Sequence, residues 1–537
     1  MTELTIKNFK DEYPRLVKAV EECRFISIDT EFSGLSVSDK LQTSLFDTTP
    51  ERYEKLRKNC EQLIPVQLGI TCFTFDSVNC SYTADIFTIF LFPRTFSLYD
   101  KRFVCQSSSL QFLCDNSFDF NKLIYEGVPY INRTQEQTLV EDLKNKTFAL
   151  NPYQSSEIEN VLDEQGRIVA SWIFSAKDGD VQVLPQLQKY VYNPDILYTA
   201  HKHLRERFKD SLWTFEDKGQ FTVKKVSKEE LALLIKENDL DKNIILDILG
   251  ITRLFRLLVT LKKPIVGHNL LTDLMLLIHN LENPLPTSYE KFKRLVNELF
   301  PAVYDTKCLS FSILKKHIPN SKRWQQNTLS HLYNYFKGGE GRHLAANSPL
   351  IQPRVPLEKY DQFHNAGWDS YCTGYIFIRM GHIYATNKFK QSRKYLSNEL
   401  FSAVSGFKNK VNLIRASLAH IQLDGEDPPS SRPPYLVVES SRNKPLNISQ
   451  IASMLSSFGF VEVKPFSFGR KAIVAVDNFN SAKSILKNFA NHKEIRIKMY
   501  STFKHSPVAR TAIWGGIFLT GAILAWMTNK KLKLINV

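Results

Sequence analysis

Apolar and polar positions alternate through Arg24-Phe-Ile-Ser-Ile-Asp-Thr-Glu-Phe32, a β-rich run that predicts a strand entered from an amphipathic helix around Leu16 to Cys23. A second apolar run, Lys263-Pro-Ile-Val, meets a glycine turn at Gly267 and passes into helical spacing through Leu276 and Ile278. A third, Tyr375 to Met380, continues a helix that opens near His364-Asn-Ala-Gly-Trp-Asp369. Five helical residues turn through about 500°, so His364 and Asp369 would diverge by roughly 140° if both were helical. His364 is therefore placed before the helix and Asp369 inside it.

The pattern shifts twice more. Residues 149–248 are acidic and amide-rich from Glu157 to Gln165, then strongly charged with helical spacing from Leu184 to Asp210, a run that reads as a solvated helix face. After the proline-rich break Asp427 to Pro434, the order becomes strand (Tyr435 to Glu439), helix (Ile448 to Phe458), two strands (Val461 to Lys464, Lys471 to Val476), helix (Ser481 to Phe489) and strand (Ile495 to Met499). That β-α-β-β-α-β order predicts an RRM-like α+β domain over 433–502. Lys471 to Val476 lacks the stacking aromatics of an RNA-binding sheet, so a structural or protein-contact role is expected of it.

Candidate chemistry lies at the first three elements. Residues two apart on a strand share a face, so Asp29 and Glu31 point the same way. Two adjacent carboxylates repel unless a cation lies between them, and hard oxygen ligands suit Mg²⁺ or Mn²⁺. Alone, the same spacing also suits a solvated strand end. Asp273 falls in the first turns of a helix beside a strand end, where an acid complements the helix dipole and where α/β sheets bind ligands. His364 fits either a packed imidazole or a proton-transfer group.

The 537 residues carry a formal net charge of +15, which favours a polyanionic partner or an anionic membrane surface. Eight cysteines without metal-ligand spacing fit a reducing compartment. Charges such as Asp11 and Glu12 interrupt any N-terminal signal peptide. Ala512 to Met527 is uncharged and with its flanking threonines would make a helix of about 27 Å, at the short end for a membrane span. Trp514 and Trp526 near its ends, with Lys530, Lys531 and Lys533 beyond, predict a transmembrane tail anchor over 511–528. A short anchor with a basic flank favours the mitochondrial outer membrane, facing the cytosol, over the endoplasmic reticulum.

The elements Ile28-Asp-Thr-Glu-Phe-Ser-Gly34, Val66-Gln-Leu-Gly69, Phe103-Val-Cys-Gln-Ser-Ser-Ser109, Gly267-His-Asn269 with Asp273, Asp305-Thr-Lys307 and His364 to Asp369 resemble, in type and order, the poly(A)-specific ribonuclease family of DEDD exonucleases. The resemblance implies an RNase H-like α/β core in two parts, 1–148 and 249–410, split by an insertion at 149–248. In that family the insertion is a single-strand-binding module with an Arg followed, after three residues, by a His. Here His201-Lys-His-Leu-Arg-Glu-Arg207 offers the reverse order, so the module reads as degenerate.

The resemblance also implies roles. Asp29, Glu31, Asp273 and Asp369 would hold two Mg²⁺ ions, or Mn²⁺, about 3.5–4 Å apart. His364 would be the general base toward the attacking water, and nucleoside 5′-monophosphates would leave one at a time. Lys307 would neutralise an RNA phosphate and Phe32 would stack at the 3′-terminal base, with core packing an equal reading of Phe32. Phe112 would contribute to an interface with a second copy. The degenerate insertion and the tail anchor are similar to the membrane-anchored branch of the family, which trims 3′ ends of piRNA precursors held by PIWI proteins with a Tudor-domain adaptor. Deadenylation of mRNA is the second enzymatic expectation, and a non-catalytic membrane scaffold for RNA or PIWI protein is the third.

Overall fold

The alternating run becomes the strand Phe25–Phe32 at the centre of a mixed nine-stranded sheet in the computed structural model. Eight of the strands lie in the order Thr2–Leu4, Ser81–Phe90, Pro65–Asp76, Phe25–Phe32, Ile265–Gly267, Val303–Asp305, Lys410–Asn412 and His420–Gln422, and Leu350–Pro353 pairs with Ser81–Phe90. Phe25–Phe32, Pro65–Asp76 and Ser81–Phe90 form an antiparallel meander. Ile265–Gly267 and Val303–Asp305 then add parallel to Phe25–Phe32, each followed by a helix, Leu271–Leu281 and Thr306–Lys316. Parallel strands need such crossovers, which is why the sheet is α/β on one side of Phe25–Phe32 and hairpin-connected on the other.

Helix Ala366–Phe389 packs on this sheet and is buried along nearly its whole length. A helix apolar on all sides has no solvent face to offer, so it becomes a core element. Phe377 lies 5.3 Å from Phe25, and Phe25 stacks on Phe73 at 4.7 Å. Between helix and sheet runs a short polar seam of small hydroxyls. Ser27 donates to the Ser370 carbonyl at 2.6 Å, and Thr71 and Ser370 share a hydroxyl contact at 2.7 Å. Each buried hydroxyl is thus satisfied where the helix approaches too closely for larger side chains.

The structure describes all residues except 98, 151, 218, 317–323, 325, 345, 357–362, 442–444, 467–468, 502–506 and 536–537; for 152–154, 507–510, 514, 516 and 528–535 only the backbone is described. Two compact units emerge: Met1–Gln42, Tyr53–Leu413 and His420–Asp427 form the first, and Thr43–Arg52, Ile414–Ala419 and Pro428–Val537 the second. Within the first, the insertion combines helix Pro152–Ser175, helix Pro194–Arg207 and a three-stranded antiparallel sheet around a core of its own that includes Leu162, Val169, Leu204 and Phe221. Helix Pro194–Arg207 differs from the expected solvated face: His201 and Leu204 are buried, because its apolar side closes that core.

In the second unit, Leu436–Ser440, Val461–Phe466, Lys471–Val476 and Ile495–Met499 form an antiparallel sheet with the second strand at one edge and the fourth at the other. Helices Ile448–Ser456 and Phe479–Asn488 complete a β-α-β-β-α-β order. Pro507–Ile535 is helical, with Phe518, Leu519 and Trp526 exposed. The expected transmembrane span is not borne out among the described residues, where no helix is long and apolar enough to cross a membrane. The side chains of Trp514, Lys530, Lys531 and Lys533, on which part of that expectation stood, lie outside the described residues.

Candidate active site

Asp29, Thr30 and Glu31 occupy the last turns of the pleat in Phe25–Phe32, with Asp29 opposite Gly69 and Glu31 opposite Gln67. The register slips between Glu31 and Phe32, where Phe32 faces Pro65 and Val66 is the extra residue on the partner strand. Such bulges re-aim side chains at a sheet's functional end. Between the two acids, Thr30 points to the opposite face and holds a third. Its amide donates to Asp273 Oδ1 at 3.0 Å, and its hydroxyl donates to the same oxygen. One oxygen of Asp273 is thereby committed to the protein.

Glycine 69 explains how the fourth acid arrives. A Cβ there would sit 1.7 Å from the Ala366 carbonyl oxygen, so the start of helix Ala366–Phe389 lies directly on the strand beside Asp29. Gln67 fixes the approach by accepting from the Ala366 amide at 2.8 Å, and Asn365 caps the helix through the Gly367 and Trp368 amides. Asp369, in the first turn, accepts from the His364 amide through Oδ2 at 3.0 Å. His364 precedes the helix with φ +70°, a left-handed conformation uncommon for a residue with a side chain. Glu31, His364 and Asp369 bring ligand atoms within 4.8 Å of one another.

The electrostatics are those of a cluster that needs a cation. Burial, then repulsion from Asp369, Asp273 and Glu31, pushes Asp29 well above the ordinary carboxylate range. Burial and the charges of Asp369 and Asp273 do the same to Glu31. Burial raises Asp273 and Asp369 each to about 7, although hydrogen bonds from Thr30 and His364 oppose it. Asp369 Oδ1 is buried and has no hydrogen-bond partner. Buried oxygens are rarely left so, and four repelling carboxylates with an orphaned oxygen form an all-oxygen donor set suited to hard divalent cations.

A family model described as CAF1 family ribonuclease matches residues 4–377. The chain belongs to the CAF1 ribonuclease family. It is a 3′-to-5′ exoribonuclease with the RNase H-like α/β fold of that family. It is 33% identical to the pre-piRNA 3′-exonuclease trimmer of Bombyx mori, over 99% of both chains. The poly(A)-specific ribonuclease PNLDC1 of Mus musculus is 28% identical over 93% of this chain and 94% of its own. The poly(A)-specific ribonuclease PARN of Xenopus laevis is 29% identical over 86% of this chain and 75% of its own.

Around the exoribonuclease's acids, the remaining expected residues take distinct places. Partial desolvation holds the His364 imidazole below its ordinary pKa. Its ring meets Phe112 edge-on, with centroids 4.6 Å apart. Phe112 was expected at an interface with a second copy; within this chain it braces His364 while remaining 45% exposed. Phe32 is half-buried beside the bulge, and Lys307 is half-buried at the start of helix Thr306–Lys316. Reasoning from sequence overlooked Thr30, Gln67, Gly69 and Asp305, although each lies inside a quoted motif. A cavity of about 210 Å³ lies elsewhere, lined by Lys10, His201, Arg205, Trp213 and Asp247 among others, and contains none of the acids.

Proposed function

We propose that this exoribonuclease trims the 3′ ends of PIWI-bound piRNA precursors by metal-assisted hydrolysis. The observation that carries the substrate is the likeness to the Bombyx mori trimmer across 99% of both chains, insertion and second unit included. Asp29, Glu31, Asp273 and Asp369 would hold Mg²⁺, and such ions supply charge stabilisation for the attacking and leaving oxygens of an in-line displacement.

The chain's own groups do the rest. His364, neutral at physiological pH because its pKa is held down, has a free lone pair to take a proton from the attacking water. Phe112 limits the swing of that ring. Thr30 keeps one Asp273 oxygen occupied and so fixes the orientation of the other. Lys307 neutralises a phosphate, and Phe32 stacks on the terminal base. Cleavage on the 3′-oxygen side leaves the phosphate on the departing nucleotide, so the product is a nucleoside 5′-monophosphate.

The exposed apolar residues of Pro507–Ile535 support attachment to a membrane surface, with the mitochondrial outer membrane as the proposed site. Fractionation of cells expressing the chain without 507–537 should move it to the soluble fraction; continued membrane association would end that proposal. For the substrate, wild type and Asp29→Ala are incubated in Mg²⁺ with a naked poly(A) oligonucleotide and with a PIWI-loaded precursor. Trimming of the loaded precursor by wild type alone is the expected result. Cleavage of poly(A) only would reassign the enzyme to deadenylation, and activity on neither would favour a scaffold.

A further inference from the structure

We propose that Asp305 is the positioning residue for Lys307, holding that cation ready for an RNA phosphate without capturing it; this rests on the exoribonucleolytic reading of the site above. The Asp305 carboxylate is fully buried and each oxygen accepts two main-chain bonds. Oδ1 receives the amides of Asn269 and Lys307, both at 2.9 Å, and Oδ2 those of Leu270 at 3.1 Å and Asn412 at 3.0 Å. These four donors come from three segments: the turn before the helix of Asp273, the start of the helix of Lys307, and the neighbouring strand Lys410–Asn412.

An ionised carboxylate offers about four acceptor sites, so Asp305 has none to spare. That matters for Lys307. Its ammonium is half-buried, and burial lowers its pKa while the charge of Asp305 raises it. Among the described residues the Lys307 ammonium has no hydrogen bond or ion pair, because the one carboxylate that acts on its charge is already filled by amides. Asp305 therefore stabilises the cation at a distance and leaves its three N–H donors for an incoming anion. The same carboxylate keeps Asn269 at φ +65°, and the Asn269 carboxamide accepts from Asn412 Nδ2 at 2.9 Å, so the turn and the neighbouring strand are locked together. Burial, the larger cause, and the Lys307 charge depress the His268 pKa to about 3, so this imidazole stays neutral and adds no second cation.

Asp305→Asn would place an NH₂ group against two main-chain N–H donors, breaking two of the four bonds while preserving size. The test is a double-mutant cycle of Asp305→Asn and Lys307→Ala, with kcat and KM measured on a single-stranded RNA oligonucleotide in Mg²⁺ at several salt concentrations. Each single variant should raise KM roughly tenfold, about the effect of losing one charge-assisted contact, with kcat changed less than about threefold. Each should flatten the slope of log KM against log salt by about 0.7, the signature of one lost phosphate contact on a single strand. The double variant should be no worse than either single, since both remove one interaction. Multiplicative effects, an unchanged salt slope in Asp305→Asn, or a fall in kcat at constant KM would overturn the positioning role while leaving the exoribonuclease reading intact. Wild type that neither cleaves nor binds the oligonucleotide would overturn both. If Asp305→Asn melts below the assay temperature, Asp305→Glu, which keeps the charge but displaces it, replaces it in the same cycle with the same expected outcomes.

Discussion

Two polar clusters in the first unit look alike in composition and differ in how their atoms are satisfied. In the insertion, His201 and Arg205 lie one helical turn apart and both close on Thr214: His201 Nδ1 contacts the hydroxyl at 2.7 Å, and Arg205 donates to the hydroxyl at 2.8 Å and to the carbonyl at 2.7 Å. The Arg205 guanidinium also lies 3.6 Å over the Trp213 ring. At the end of the central strand, by contrast, four carboxylates repel one another, their pKa values forced upward, with Asp369 Oδ1 unpartnered. The insertion's groups are consumed by the fold, whereas the acids are held in a costly arrangement that only a ligand relieves.

That contrast can be broken most severely at the acids. Asp29→Ala should lower the hydrolysis rate by on the order of 10³-fold or more while the melting temperature stays or rises, because one repelling charge is gone; a marked loss of stability would mean that Asp29 supports the fold instead. Gly69→Ala should come next. Its Cβ cannot coexist with the Ala366 carbonyl 1.7 Å away, so the helix start must shift, and a displacement near 1 Å costs about 10²-fold in rate. Unchanged kcat in a folded Gly69→Ala would show that the helix position does not set the geometry of Asp369.

Linkage gives a third, smaller effect. The acids have folded-state pKa values above their unfolded ones, so the folded protein binds more protons, and this contribution to stability is lost as pH rises from about 4 toward 7–8, where Asp273 and Asp369 titrate. Metal-free protein should therefore melt several degrees lower at pH 8 than at pH 5, and Mg²⁺ should restore more at pH 8, where fewer protons compete. A melting temperature independent of both would contradict the cluster's electrostatics. Last, Arg205→Ala should destabilise by about 1–3 kcal/mol through the lost hydrogen bonds and ring contact while kcat on a short oligonucleotide stays at the wild-type value. A selective fall in RNA affinity would instead place Arg205 in the binding surface.

Periodicity made the elements legible because the physics behind it is local. Alternation through Phe25–Phe32 survives in any half-buried strand, and the 500° argument placed His364 outside and Asp369 inside helix Ala366–Phe389 from helical geometry alone. The strand Lys471–Val476 and the strand Ile495–Met499 follow their apolar runs residue for residue. The charged run of the insertion was read as solvated because charge counts do not reveal that Thr214, on a following strand, supplies the partner groups. The tail's expected span rested in part on Trp514, Lys530, Lys531 and Lys533, whose side chains lie outside the described residues.

By itself the sequence determined the reaction class, since its motifs match those of a ribonuclease family in type and order. Only the tertiary structure decided how those residues are held. Thr30 commits one oxygen of Asp273, the missing side chain of Gly69 admits the helix that brings Asp369, Phe112 turns its edge to His364, and Asp305 is filled by four amides drawn from three distant segments. Those relations depend on distances between residues far apart in the chain, which local propensity does not encode. They exist only once the sheet is assembled.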